Sequence, residues 1–174
     1  ESLSRLGQLP LDFVATMAET VPENLFSIHL GEDQPVCLMA ADHPLVSSTS
    51  MSLMEMLDYS FVHLSSGGDK DSFFDRLLAS QGLSRRIVFE VPFFSAAFQV
   101  VARGRALIVL PEHIARNAAG HFSLTHRLLP MPTPVNQYHL CWHALHDKDP
   151  AHSWVRNCIA EQITASIYSP NIEG

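Results

Sequence analysis

Lysine is nearly absent from this chain, with two in 174 residues, and Lys and Arg together number 11 against 18 acidic residues, for a net charge of -7. That balance leaves no basic face for nucleic-acid phosphates, so any DNA contact must come from residues outside this sequence. Long apolar runs are missing too. No stretch approaches the ~20 residues that a membrane-spanning helix needs. The first residues, ESLSRLGQ, lack the charged start and apolar core of a signal peptide, and with no initiator Met the sequence reads as part of a longer protein. Cysteine is scarce: Cys37, Cys141 and Cys158 are odd in number and widely spaced, as free thiols of a reducing compartment would be. The sequence has no Gly-x-Ser-x-Gly elbow, His-Glu-x-x-His helix, Gly-x-Gly-x-x-Gly turn or phosphate-loop ending. These absences argue against an enzyme, and no cofactor is expected.

What is present is a chain 47% apolar, enough for a sizeable core. The stretch from Ile87 to His113 is the most informative. Ile87, Val88 and Phe89 read as a strand, Ser95 opens a short apolar helix, Gly104 follows it, and Ala106 to Leu110 read as a second strand. Such a β-α-β unit predicts a parallel pair with a right-handed crossover. Strands are also expected at Leu11–Thr16, Phe26–Leu30, Val36–Ala41, Tyr59–Leu64 and Tyr138–Ala144, with an extended crossover at Leu124–Leu129. Ser52 with Glu55 makes a capping box, Phe73, Phe74, Leu77 and Leu78 mark a helix ended by Gly82, and Glu112 to Ala118 read as another. Pro150 starts a final helix with Trp154, Ile159, Ile163 and Ile167 on one face. Alternating strands and helices make the chain α/β. Ser- and Pro-rich passages near Ser47 and Pro130 bracket a middle lobe, and two lobes imply a cleft.

Ligands of open parallel sheets bind beyond the carboxyl ends of the strands. Those ends carry Ser65-Ser66-Gly67-Gly68 and Phe93-Phe94-Ser95, with Thr16 at the end of an early strand. Hydroxyls and backbone N–H groups there suit a small anion or carbonyl, and the rings suit an apolar body. A plain reading stands beside this one, with Ser95 as a simple N-cap and the phenylalanines as core. His139, His143, His146 and His152 invite a metal, but His146 has the opposite strand parity and no recognised ligand spacing is completed. No metal is expected.

In their order along the chain, these residues resemble the LysR-type transcriptional regulators. VCLMAADHPL at Val36–Leu45 is similar to that family's strand and His-Pro turn, and QVVARGRALIVLP at Gln99–Pro111 to its V-x-x-G-x-G-x-x-x-x-P stretch, with Arg105 where the second Gly is usual. LSRLGQLPLDFVAT at Leu3–Thr16 and CWHALHDKDPAHSWVR at Cys141–Arg156 resemble further signatures, the last that of the nodulation and aromatic-degradation branch. The resemblance implies an effector-binding domain of two Rossmann-like lobes joined by two crossovers, similar to type 2 periplasmic binding proteins. Residues 1–46 with 124–174 would form regulatory lobe I and residues 47–123 lobe II. Lobe I would be incomplete, because the family's first strand, helix and second strand have no counterpart here.

An inducer, aromatic or weakly acidic, would sit between the lobes. The family's pocket positions would fall on Thr16, Ser65, Ser66, Phe93, Phe94 and Ser95, and also on His43 and His139. Partners would be the effector, further copies of the chain in a homodimer or homotetramer, and DNA only through an N-terminal helix-turn-helix that this chain lacks. No membrane is involved, and a cytoplasmic location is expected. Two other readings remain open: a stand-alone solute-binding protein for transport, and a metal-dependent hydrolase using His139, His143 and His146.

Overall fold

The computed structural model describes residue 6 and residues 11–18, 20–65, 73–166 and 169–170. Its strands are β1 (Val14–Met17), β2 (Leu25–Asp33), β3 (Pro35–Ala40), β4 (Ser60–Leu64), β5 (Arg86–Val91), β6 (Ile108–Pro111), β7 (Leu124–Leu128) and β8 (Asn136–His143). Its helices are α1 (Leu53–Leu57), α2 (Phe73–Ser80), α3 (Phe94–Ala102), α4 (Glu112–His121) and α5 (Pro150–Ala165). The chain divides into two compact units: residues 1–34 with 134–174, and residues 35–133. The crossings thus fall at Gln34/Pro35 and Thr133/Pro134, whereas the sequence reading puts them near residues 47 and 123. β3 pairs with β6 and β7, so its hydrogen bonds lie within the second unit.

The second unit is a sheet covered on both faces. β3 is antiparallel to both β6 and β7. β4 and β5 run parallel, and Phe61 of β4 forms a parallel bridge to Leu107 just before β6. Side chains of successive strand residues point to opposite faces. Val36 and Leu38 of β3 therefore enter a core with Ala97, Phe98 and Val101 of α3 and Ala115 of α4. Cys37 and Met39 enter a second core with Met56 of α1 and Phe74 and Leu78 of α2. All six residues of β3 are buried.

The parallel pair differs from the sequence expectation. β5 pairs with β4, not with β6, so the crossover through α3 passes over one strand. The apolar content of β4 gives the reason. Phe61 and Val62 are fully buried and belong to opposite cores, so this strand takes the central place. The segment expected as an extended crossover is strand β7, paired with β3.

Local signals set the helix ends. Ser52 and Glu55 form the capping box, with the Glu55 amide 3.2 Å from the Ser52 hydroxyl and the Ser52 amide 2.7 Å from the Glu55 carboxylate. The Ser52 N–H, followed by the Ser52 hydroxyl, holds the Glu55 carboxyl below its usual pKa. Gly82 (φ 72°) closes α2, with Leu83 N–H donating to the Leu78 carbonyl at 2.9 Å and Gly82 N–H to Ala79 at 3.0 Å, a Schellman pattern that favours glycine. α2 is also pinned from the side. The Arg85 guanidinium, 3% exposed, donates twice to Asp75 at 2.7 Å. It also lies 5.5 and 5.6 Å from the ring centres of Phe61 and Phe74.

The first unit is a three-stranded antiparallel sheet in the order β1-β8-β2, with α5 packed against β2. Its buried cluster is small: Leu6, Leu25 and Cys141, with Val14 and Val21 packed on it. Asp149 caps α5, accepting from the Ala151 and His152 amides at 2.8 and 3.0 Å, and its carboxyl is held below the usual range chiefly by the His152 N–H. The expected apolar face of α5 is only partly used. Ile159 and Ile163 are half-buried, but Trp154 is exposed, and Ile167 lies outside the described residues. The cysteines are free, with Cys37 and Cys141 buried, and burial pushes the Cys37 thiol up to about 12.

Candidate functional site

β4 and β5 end side by side because they run parallel. Beyond Leu64, the Ser65 N–H donates to the Val91 carbonyl at 2.9 Å and ties the two mouths together. Ser65 is exposed. Phe93 follows in extended conformation (φ -132°, ψ 141°) as the N-cap of α3, and 68% of its surface is exposed. Ser95 therefore is not the N-cap. It is the second helical residue, exposed, and among the described residues no side chain caps this helix. The first turn of an uncapped helix offers N–H donors with a partial positive charge. Phe94 is half-buried, its ring stacked on Phe98 at 5.9 Å, and Phe98 in turn meets Phe122 at 5.6 Å. One phenylalanine of the pair thus belongs to the core and the other to the surface. Ser66 lies outside the described residues.

His43 does not join this mouth. β3 runs against β4, β5 and β6, so the turn after β3 lies at their amino ends. There His43 is 1% exposed, and its ring meets Tyr59 edge-on at 4.4 Å. Leu45 N–H donates to Nδ1 at 3.2 Å, which leaves the proton on Nε2, 3.2 Å from the Arg105 carbonyl. Burial lowers its pKa more than the Arg105 carbonyl raises it, and the ring is neutral. These two hydrogen bonds join the end of β3 to the start of β6.

Thr16 and His139 are neighbours in the first unit. They are register partners across β1 and β8, and His29 of β2 is the next partner in the same row. The His29 and His139 rings meet edge-on at 5.4 Å. Nδ1 of His139 is buried with no hydrogen-bond partner among the described residues, and burial, followed by His29, lowers its pKa. The other histidines are dispersed. His143 accepts the Leu145 N–H at 3.2 Å, and His146 stacks on His152 at 5.2 Å. Among the described residues no three His, Cys, Asp or Glu side chains come together to hold a metal.

Sequence reasoning missed a cavity of about 580 Å³ at the amino ends of β4 and β5, lined in part by Arg86, Arg103 and Arg105. The one signal that pointed towards it is Arg105 itself, in place of the glycine of the pattern that the stretch resembles. Among the described residues no helix is long and apolar enough to cross a membrane.

Comparison with known proteins places this architecture. Residues 1–164 match the LysR substrate binding domain family. The HTH-type transcriptional activator NahR of Pseudomonas putida is 26% identical over 154 residues, which is 88% of this chain and 51% of NahR. The HTH-type transcriptional regulator SyrM of Rhizobium meliloti is 26% identical over 165 residues, 91% of this chain and 49% of SyrM. The chain thus spans about half the length of these relatives. Among solved structures, a probable transcriptional regulator from Pseudomonas aeruginosa superposes with a TM-score of 0.76 at 25% identity, covering 90% of this chain and 51% of that one. The effector binding domain of QuiR in complex with shikimate superposes with a TM-score of 0.70 at 18% identity, covering 92% and 75%. The fold is the two-lobed type 2 periplasmic-binding arrangement of these regulatory domains. With most of its length inside one family profile, the chain belongs to the LysR substrate binding domain family, as the effector-binding part of a LysR-type regulator.

Proposed function

We propose that this chain senses a small organic effector, aromatic or weakly acidic, for a cytoplasmic LysR-type transcription regulator that binds DNA through a separate helix-turn-helix. The observation that carries the proposal is the mouth of β4 and β5, where an exposed phenylalanine stands at the uncapped start of a helix and the Ser65 N–H is tied to the end of β5 at Val91. Phe93 covers the ligand's apolar body. The N–H groups of the first turn of α3, with the Ser65 and Ser95 hydroxyls, donate to its carboxylate or carbonyl. Thr16 and His139, register partners within the first unit, are further positions that the resemblance implies. Ser66 is a further position that the resemblance implies. The shikimate named with one solved relative is a small hydroxylated carboxylic acid and fits the same chemistry. The named relatives are transcription regulators, which favours this reading over transport or metal-dependent hydrolysis. Binding acts by differential affinity for two states of the domain, shifting a pre-existing equilibrium.

The chain is also proposed to self-associate as a homodimer or homotetramer. β5 supports this proposal: its outer edge is unpaired among the described strands, and Ile87, 45% exposed, lies on it. An apolar open edge is a template for another chain.

The test is a melting-temperature screen of the full-length regulator against small aromatic acids, hydroxylated carboxylic acids and amino acids. The expected result is a concentration-dependent rise with one organic class, abolished by Phe93→Ala and reduced by Ser65→Ala. An effector response that both substitutions leave unchanged removes the mouth from the proposal.

A further inference from the structure

Among the described residues Asp33 is the one buried carboxylate, 2% exposed. It is the last residue of β2, and its register partner on β8 is Asn136. The Asn136 amide donates to the Asp33 carboxylate at 2.9 Å, and the Tyr138 hydroxyl donates to the same oxygen at 3.2 Å. Burial, followed by the Asp33 charge, raises the Tyr138 pKa, so the phenol keeps its proton and stays a donor. A carboxylate out of water is costly unless hydrogen bonds replace its hydration. The chain leaves the first unit after Gln34 and returns to it at Pro134. Asp33 stands just before the exit and Asn136 just after the return, so their hydrogen bond joins the two connecting segments at their roots.

A bulge in β2 aims these side chains at one another. Up to His29 the pairing of β2 with β8 keeps one register, and from Gly31 onward it is shifted by one residue, with Leu30 as the extra residue. In the unshifted register Asp33 would stand opposite Val135, and Asn136 would point to the other face of the sheet. Gly31 takes φ 147°, a backbone angle that suits glycine. Gly31 also lies directly opposite Tyr138, so no side chain stands between that ring and its diagonal neighbour Asp33.

We propose that Asp33, with Asn136 and Tyr138, is a positioning clamp that holds the two connecting segments together at their roots and so limits how freely the two units move against each other. For a domain that reports an effector by shifting between two states, that freedom helps set the gap the effector must tip. This link rests on the effector reading, whereas the clamp is tested without any effector, so the two can fail separately. The experiment is a spin-label distance measurement on the full-length regulator, with labels at Gln81→Cys in the second unit and Gln162→Cys in the first, both exposed positions. Cys158→Ser removes the native cysteine of this chain that is not buried. Labelled chains are diluted into unlabelled ones, so that only distances within one chain are read. Wild type is compared with Asp33→Ala, Asp33→Asn and Tyr138→Phe, and with Leu38→Ala as a core variant of the second unit. Circular dichroism and a melt of each report fold and stability.

The expected result is a distance distribution about twofold broader in Asp33→Ala than in wild type, because both hydrogen bonds of the network are lost together. Tyr138→Phe loses one of them and broadens the distribution less. Asp33→Asn keeps an acceptor oxygen in place and stays narrower than Asp33→Ala. Leu38→Ala lowers the melting temperature and leaves the width as in wild type. A folded Asp33→Ala with the wild-type width overturns the proposal, as does Asp33→Asn broadened as far as Asp33→Ala. Equal broadening by Leu38→Ala makes Asp33 no more than a stabilising residue and overturns it too. Should Asp33→Ala not fold, a Tyr138→Phe distribution as narrow as wild type does the same.

Discussion

β3 and β5 belong to the same unit, carry similar apolar sequences and have opposite surroundings. VCLMA within β3 is buried at every position, whereas RIVFE in β5 is exposed at every position. β3 has strands on both sides and helices over both faces. β5 has one strand neighbour among the described residues and an open edge. A β-branched run therefore signals a strand without signalling depth, because depth is a property of the neighbours. The chain uses the first strand as its keel and leaves the second with one edge open among the described strands.

The contrast predicts unequal responses to the same kind of change. Leu38→Ala in β3 opens a cavity in the core and is expected to destabilise the chain by about 2–5 kcal/mol in urea unfolding. Phe89→Ala, at a residue 53% exposed, is expected to stay under about 1 kcal/mol. Equal losses would erase the distinction between keel and edge. His43→Ala is expected to fall between them, at about 1–3 kcal/mol, since it strips partners from the Leu45 amide and the Arg105 carbonyl at the end of β3. Ser52→Ala, which removes the α1 capping box, should cost about 1 kcal/mol by the same measurement.

Titration sharpens the same comparison. Burial leads the lowering of both the His43 and His139 pKa values, so each ring is neutral in the folded chain. In the unfolded chain each regains a pKa near 6.5. Stability is therefore full above about pH 6.5 and falls as the pH drops through the lowered folded values, where the unfolded chain binds protons the folded one refuses. His43→Gln should flatten part of that slope in a series of melts from pH 7.5 to 5. On β3, the Cys37 thiol, pushed up to about 12, should stay inert to Ellman's reagent until the chain unfolds. A cysteine introduced by Val88→Cys on β5 should react in the folded state.

Several of these features were legible in the sequence because they depend on residues close together along the chain. The Ser52–Glu55 box, Gly82 after α2 and Pro150 at the start of α5 each act within a few residues, and each appears where the pattern put it. That Ser65, Phe93 and Ser95 follow strand ends was legible in the apolar pattern, and the Ser65 amide to the Val91 carbonyl joins the ends of β4 and β5. What was not legible depends on pairing across the fold. The β5–α3–β6 segment says nothing of β4 lying between its strands. The buried place of His43, which the resemblance alone put among the pocket positions, was not legible, because its partner Arg105 lies 62 residues away. Ser95 looked like a cap because a hydroxyl before an apolar run usually is one. Here Phe93 takes that place and leaves the turn open.

The pinning of α2 bears on how this chain can change over time. Arg85 is held at once by the Asp75 carboxylate and by the rings of Phe61 and Phe74. Lysine there would keep the charge but lose the flat fork that fits both. Losing Asp75 first would leave a guanidinium 3% exposed beside two rings, and losing Arg85 first would open a slot between them. Single steps away from this foursome are therefore all downhill in stability. Lineages that depart from it should do so by exchanging several of the four together, and the helix they anchor should be slower to drift than the open strand beside it.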